Sequence, residues 1–162
     1  MAFPDDAQAV AIVNSAITVN QTINLNQAIT LGAVSVGASG GAAAFNITTN
    51  GGTLTLNNTP GLATLFQLPS SAGDTISAPI AVNGSLFVTN ASVNALTLSG
   101  NISGAAGGIT VAGNVILSGF NTYEGFAARS YRLVQGNIPC LEPVLRRVKR
   151  RVKTNPRPHA EA

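Results

Sequence analysis

Residues 80–98 read IAVNGSLFVTNASVNALTL, and they show the clearest structural pattern in the chain. It holds three short alternations in which an apolar residue returns after one intervening position: Ile80/Val82, Leu86/Val88 and Leu96/Leu98. Each alternation places two side chains on one face of a short strand. The pair Asn83-Gly84, which separates the first two alternations, favours a turn. The stretch therefore predicts short strands separated by tight turns.

The same alternation continues on both sides of this stretch. The further apolar pairs are Ile17/Val19, Ile23/Leu25, Ile29/Leu31, Val34/Val36, Phe45/Ile47, Leu54/Leu56, Ile109/Val111 and Val115/Leu117. Three such strands with their turns complete a coil of about 20 residues, so about five coils fit between residues 17 and 119. We therefore predict an all-β fold, a right-handed parallel β-helix (β-solenoid) over residues 17–125, with these side chains inside. The alternative is a β-sandwich, but its strands are usually longer and its turn signals lie further apart.

Composition and charge agree with closely stacked coils. Aromatic residues make up 5% of the chain and Trp is absent, so we expect a thin, aliphatic core. Residues 7–123 contain one acid, Asp74, and no Lys or Arg. Stacked coils place equivalent side chains above one another, where charges would repel but Asn, Ser and Thr can form hydrogen bonds along the stack. Because a polysaccharide hydrolase on a β-helix needs clustered carboxylates, we predict that the chain is not an enzyme.

A motif near the end of the predicted solenoid resembles a known repeat. Residues 98–125 read LSGNISGAAGGITVAGNVILSGFNTYEG. Three phrases in this stretch, at residues 102–104, 108–110 and 117–125, are similar in kind and order to the autotransporter-associated β-strand repeat. The resemblance covers about residues 75–125. The residues that carry its best-matched phrase are Leu117, Ser118, Gly119, Asn121, Thr122, Tyr123 and Gly125.

The resemblance implies a function as well as a fold. It implies a parallel β-helix in the passenger of a bacterial autotransporter, at the cell surface or secreted, where the repeat aids passenger folding and transport. The intact protein would have an outer-membrane translocator domain as a partner, and a host surface or neighbouring cells as targets of adhesion. We expect no specific nucleic acid and no small-molecule substrate.

Two interpretations of Asn121, Thr122 and Tyr123 compete. These residues could contact a ligand, or they could form a turn in which Asn121 bonds to nearby backbone and the ring of Tyr123 packs over the last coil. We favour the second interpretation, because the motif recurs in passengers with different binding functions, which indicates a structural role.

The two ends of the chain differ from the repetitive region. Residues 1–16 are predicted to cap the solenoid, with a short helix from Pro4 to Asn14 whose N-terminus Asp5 or Asp6 caps. The N-terminus lacks a secretory signal, and no stretch reaches transmembrane length. After Gly125 the sequence leaves the family pattern, and residues 126–162 are predicted to form a basic tail that is disordered or partly helical. We favour a solvated basic tail, which a reading-frame change near codon 126 could have produced. A segment that contacts nucleic acid or anionic membrane is our alternative function.

No catalytic, cofactor or metal site is expected. The only histidine, His159, and the only cysteine, Cys140, lie in the tail, and Asp74 is predicted to be a turn residue. Ice binding would need a regular Thr-x-Thr pattern on one face in every coil, and the irregular spacing of the apolar pairs argues against it. We therefore predict a structural or adhesive surface segment.

Overall fold

The structure is a computed structural model that describes residues 4–104 and 108–123, together with the backbone of residues 126–129. Within these residues it contains sixteen strands and no helix. The strands are β1 (Val10–Val13), β2 (Gln21–Leu25), β3 (Ile29–Leu31), β4 (Ala33–Val36), β5 (Phe45–Thr49), β6 (Leu54–Asn57), β7 (Ala63–Gln67), β8 (Thr75–Ile76), β9 (Ile80–Asn83), β10 (Leu86–Asn90), β11 (Leu96–Leu98), β12 (Ile102–Gly104), β13 (Ile109–Ala112), β14 (Val115–Leu117), β15 (Thr122–Tyr123) and β16 (Phe126–Arg129).

These strands form three parallel sheets. The first sheet has the order β1-β4-β7-β10-β13-β16, the second β14-β11-β8-β5-β2 and the third β15-β12-β9-β6-β3. Each coil contributes one strand to each sheet, so strands three apart in the chain become neighbours, and every strand pair in the described region is parallel. The prediction of a parallel β-solenoid of about five coils is confirmed. The β-sandwich, which would need antiparallel strands, is excluded.

Coil length varies, and the variation falls in the connections rather than in the strands. The register partners Val10↔Ala33, Ala33↔Thr64, Thr64↔Phe87, Phe87↔Thr110 and Thr110↔Ala127 lie 23, 31, 23, 23 and 17 residues apart. The connection from the first sheet to the second shortens from residues 37–44 in the second coil to residues 113–114 in the fifth. The strands nevertheless stay in register, because each pairs with its neighbours in the adjacent coils.

The core consists of apolar columns that run along the solenoid. One column in the second sheet consists of Ile23, Ile47, Ile76, Leu98 and Leu117. All its members are buried except Ile23, which is half-buried because it lies in the first coil. The predicted inward positions are confirmed with one exception, Val19, which is 65% exposed. Ile17 lies between β1 and β2, outside a strand, but is half-buried and packs against the core.

The predicted helix from Pro4 to Asn14 is wrong, since residues 10–13 form strand β1 and pair with β4. A ladder of backbone hydrogen bonds to the second coil outweighs the local helical spacing. Asp5 and Asp6 do cover an end of the solenoid, but they bind the outermost strand of a sheet instead of capping a helix. The Asp5 carboxylate accepts the Thr30 N–H at 2.7 Å, and the Asp6 N–H donates to the Thr30 carbonyl at 3.0 Å. They therefore bind the free edge of β3.

At the other end, β16 pairs with β13 and continues the first sheet past residue 125, where the repeat was predicted to stop. The remainder of the predicted basic tail, residues 130–162, lies outside the described residues, as do His159 and Cys140.

Candidate functional site

The segment from Leu117 to Tyr123 brings together the motif residues that carry the resemblance. Leu117 is fully buried and extends an apolar column, whereas Ser118 and Thr122 are exposed on the outside of the solenoid. Asn121 is fully buried, Tyr123 is 4% exposed, and Gly125 lies outside the described residues. The alternation of the motif thus separates inward residues from outward ones.

Gly119 lies where two coils approach each other closely. A Cβ placed on Gly119 would lie 2.1 Å from the carbonyl oxygen of Gly100, its counterpart in the preceding coil. A Cβ on Gly100 would lie 2.0 Å from the carbonyl oxygen of Ala78. Side chains do not tolerate such distances, so the corner between the second and third sheets requires glycine in both coils. This explains why each Leu-Ser-Gly phrase, at residues 98–100 and 117–119, ends in glycine.

Asn121 binds the preceding coil through a reciprocal arrangement. Its Oδ1 accepts the N–H of Ile102 at 3.0 Å, while the Oδ1 of Asn101 accepts the N–H of Phe120 at 3.0 Å. Each asparagine therefore satisfies a backbone donor of the neighbouring coil at a corner where the ladder is interrupted. The nearby backbone that Asn121 was predicted to bind belongs to a neighbouring coil and not to its own turn.

Tyr123 lies next to a glycine of the preceding coil. Its register partner is Gly104, and a Cβ on Gly104 would lie 2.6 Å from the carbonyl oxygen of Val82. In the third sheet, the column that contains Leu56 and Val82 therefore continues through Gly104, which has no side chain, and ends at Tyr123. Tyr123 belongs to the hydrophobic core cluster.

A buried polar network that the sequence did not indicate lies at the corner between the first and second sheets. Its centre is Asn90, which is 7% exposed. The Nδ2 of Asn90 donates to the carbonyls of Asn94 at 2.7 Å and Asn114 at 2.6 Å. Its Oδ1 accepts the N–H of Ser92 at 2.7 Å and the Nε2 of Gln67 at 3.1 Å. One side chain thus joins the third, fourth and fifth coils.

Asp74 is the acid of this network, and it is fully buried. Its Oδ1 accepts the Phe45 N–H at 2.8 Å, and its Oδ2 accepts the Ser71 hydroxyl at 2.5 Å. The Asp74 N–H donates to the Oε1 of Gln67 at 3.1 Å. Asp74 does lie at the turn before β8, as predicted, but its carboxylate also binds the second coil. A carboxylate enclosed in this way is not accessible to a substrate.

One apolar cavity, of about 640 Å³, lies at the N-terminal end of the solenoid. It is the open inside of the first coil, and its lining includes Ala11, Val13, Ile23 and Ile29. Polar groups at its rim are amides, namely Asn24, Asn26 and Gln27. The cavity is therefore lined as an uncovered end of the hydrophobic core would be.

Among residues 4–104 and 108–123 there is no group of three His, Cys, Asp or Glu side chains that could hold a metal ion. No helix in the part of the chain that the structure describes is long and apolar enough to cross a membrane. What the described residues do bring together is a set of contacts between successive coils. In comparisons with known proteins, no protein-family model, no curated protein and no solved structure matches the chain.

Proposed function

We propose that the chain is a structural, adhesive segment of a bacterial surface or secreted protein of the autotransporter type, and that it has no enzymatic activity. The motif that resembles the autotransporter-associated repeat makes contacts between coils at Gly119, Asn121 and Tyr123. This is the observation that carries the proposal, because a repeat that aids passenger folding must stack one coil on the next.

The charge distribution supports an exported, stacking scaffold. The only acid between residues 7 and 123 is enclosed by hydrogen bonds, and no Lys or Arg occurs there. The outward positions of the second and third sheets carry mainly Thr, Ser and Asn. Such a surface offers a partner many hydrogen-bonding groups and no charge.

Surface display tests the proposal. The 162-residue chain would be placed between an export signal and an outer-membrane translocator domain, and display would be measured by protease digestion of intact cells. We expect the native chain to be displayed and the Gly119→Ala variant to be displayed poorly, because the added Cβ meets the Gly100 carbonyl. Gly40→Ala is the matched control, since nothing lies within 4 Å of a Cβ there.

Two results would count against the proposal: no display of the native chain, or equal display of both variants. Adhesion of the displaying cells to host cells or matrix would then test the adhesive part separately. The alternative function, binding of nucleic acid or anionic membrane through the basic tail, predicts salt-sensitive binding that disappears when residues 130–162 are deleted. The structural function predicts that this deletion leaves display and adhesion unchanged.

A further inference from the structure

The outer face of the second sheet carries two columns of side chains. The register of the sheet aligns the first column as Thr22, Asn46, Thr75, Thr97 and Ile116. The second column begins with the pair Asn24↔Thr48. It continues through Ser77, Ser99 and Ser118, whose N–H groups donate to the carbonyls of Ile47, Ile76 and Leu98 in the preceding coils. Nine of these ten residues bear a hydroxyl or an amide.

This regularity is hidden in the sequence. The spacing between coils varies from 31 to 17 residues, which is why a regular Thr-x-Thr pattern was not expected. Because the differences lie in the connections, the strands of the second sheet keep their pairing, and the outward pairs recur in every coil. Neighbouring rows lie about 4.8 Å apart, and the two columns lie about 6.7 Å apart along the strand.

The hydrogen-bonding groups of this face are available to a partner. Within the described residues, the side chains of Thr22, Thr75, Thr97, Ser99 and Ser118 make no hydrogen bond to the protein, and all are exposed or half-buried. In the first two coils, four side chains on this side of the molecule are fixed in pairs: Thr48 Oγ1 donates to Asn24 Oδ1, and, beyond the two columns, Asn50 Nδ2 donates to Asn26 Oδ1 at 3.2 Å. These side chains therefore bind with little further loss of conformational entropy.

The other two faces have a different chemistry. The first sheet exposes apolar side chains, with Val10 57% and Ile12 64% exposed, and places Phe66 and Phe87 outside. The third sheet has one column of this kind, Thr30, Thr55, Ala81, Ser103 and Thr122, and Ala81 interrupts it. Of the three outer faces, the one with two adjacent columns of hydroxyl and amide side chains is therefore that of the second sheet.

We propose that this face of the second sheet binds ice. A partner must be uncharged, since the face has no charged side chain, and it must be ordered, since the groups recur at fixed intervals in two directions. Planes of hexagonal ice present water oxygens at repeats close to these intervals. Each hydroxyl or amide can replace one lattice water by donating and accepting hydrogen bonds. Sugar rings usually stack on an aromatic side chain, and neither column contains one. The exposed Phe120 lies at the corner between the second and third sheets, and Phe66 and Phe87 lie on the first sheet.

Ice-affinity partitioning of the full 162-residue chain tests this site. Ice is grown slowly from a dilute solution, and the fraction of protein in the ice is compared with that of a protein which ice excludes. We expect the native chain to enter the ice. Thr97→Lys, at the centre of the face, should be excluded, because its ammonium cannot fit the lattice and remains hydrated. Ser103→Lys makes the same charge change in the same coil on the third sheet and should behave as the native chain does.

Three outcomes would contradict the inference that this face binds ice. It fails if ice excludes the native chain, if Thr97→Lys enters the ice as well as the native chain, or if Ser103→Lys is excluded equally. Far-ultraviolet circular dichroism and melting temperature would establish that each variant is folded. If Thr97→Lys does not fold, Ser99→Lys replaces it, because Ser99 is exposed on the same face. Binding of the chain to insoluble cellulose or chitin through this face, without entry into ice, would assign the face to a polysaccharide instead.

Discussion

Replacement of Gly100 by alanine tests whether the corner between the second and third sheets controls stability. An added Cβ would lie 2.0 Å from the Ala78 carbonyl oxygen and 2.9 Å from that of Ser77. Since ordinary contact begins near 3.4 Å, one coil must move by more than 1 Å relative to the other. Among the backbone hydrogen bonds at this corner, two involve Gly100 or its immediate neighbour Asn101: Gly100 N–H donates to the Ile76 carbonyl at 3.2 Å, and Ile80 N–H donates to the Asn101 carbonyl at 2.9 Å.

The cost follows from these contacts. Overpacking of this kind costs about 1–3 kcal/mol, and weakening two hydrogen bonds adds about 1 kcal/mol each. The reduced entropy of the unfolded chain returns about 0.4–1 kcal/mol. We therefore expect Gly100→Ala to lower the free energy of unfolding by about 3 kcal/mol. For a chain of this size that corresponds to a fall in melting temperature of about 6–12 °C.

Thermal unfolding followed by circular dichroism measures this change, with Gly40→Ala as the control. A Cβ on Gly40 meets nothing within 4 Å, so that variant should melt at the native temperature or slightly above it. If both variants melted within about 2 °C of the native chain, the close approach of the coils at Gly100 would not limit stability, and the explanation of the Leu-Ser-Gly phrase would be wrong.

Two further substitutions test the buried polar network and the end of the motif. Asn90→Ala removes four hydrogen bonds, so we expect a loss of about 3–4 kcal/mol in urea unfolding, whereas Asn83→Ala, at an exposed position, should change stability by less than about 0.5 kcal/mol. Equal effects of the two would refute a structural role for the network. Tyr123→Ala should cost about 1–4 kcal/mol in the same assay and leave adhesion of the folded fraction unchanged, with the 59% exposed Phe120→Ala as its control. A Tyr123→Ala protein with a native melting temperature but no adhesion would support a ligand contact instead.

The fold was largely predictable because strands in a solenoid are buried on one side, which leaves a period of two in the sequence. The failures have physical causes. Val10–Val13 forms a strand although its spacing also suits a helix, because hydrogen bonds to β4 decide between the two. Val19 continues an alternation but has no strand beside it and remains exposed. Strand β7 was missed because its inward residues, Ala63, Leu65 and Gln67, begin with a small side chain and end with a polar one.

The contacts of the motif were harder to predict than its strands. The position of Gln67 at the end of an alternation is a signal that could have located one member of the buried network. The need for glycine at position 100 could not have been found in this way, because it depends on the distance to a carbonyl 22 residues earlier in the chain. The array on the second sheet could not be predicted either. The connections between strands differ in length, so the alignment of its hydroxyl and amide side chains is visible only in the folded structure.

The unequal connections between the first and second sheets also bear on how such a gene can change. Eight residues make the connection in the second coil and two make it in the fifth, yet the strands on either side pair in the same way. Insertions and deletions at the exposed tip of the longest connection, near Gly40, are therefore expected to be nearly neutral, whereas the connections that carry the buried network would not tolerate them. A single inserted residue inside a strand would turn its core side chains outward. Related proteins can therefore differ in the length of such a connection and still keep the same arrangement of three strands per coil. The sequence then loses a constant repeat length although the solenoid is preserved.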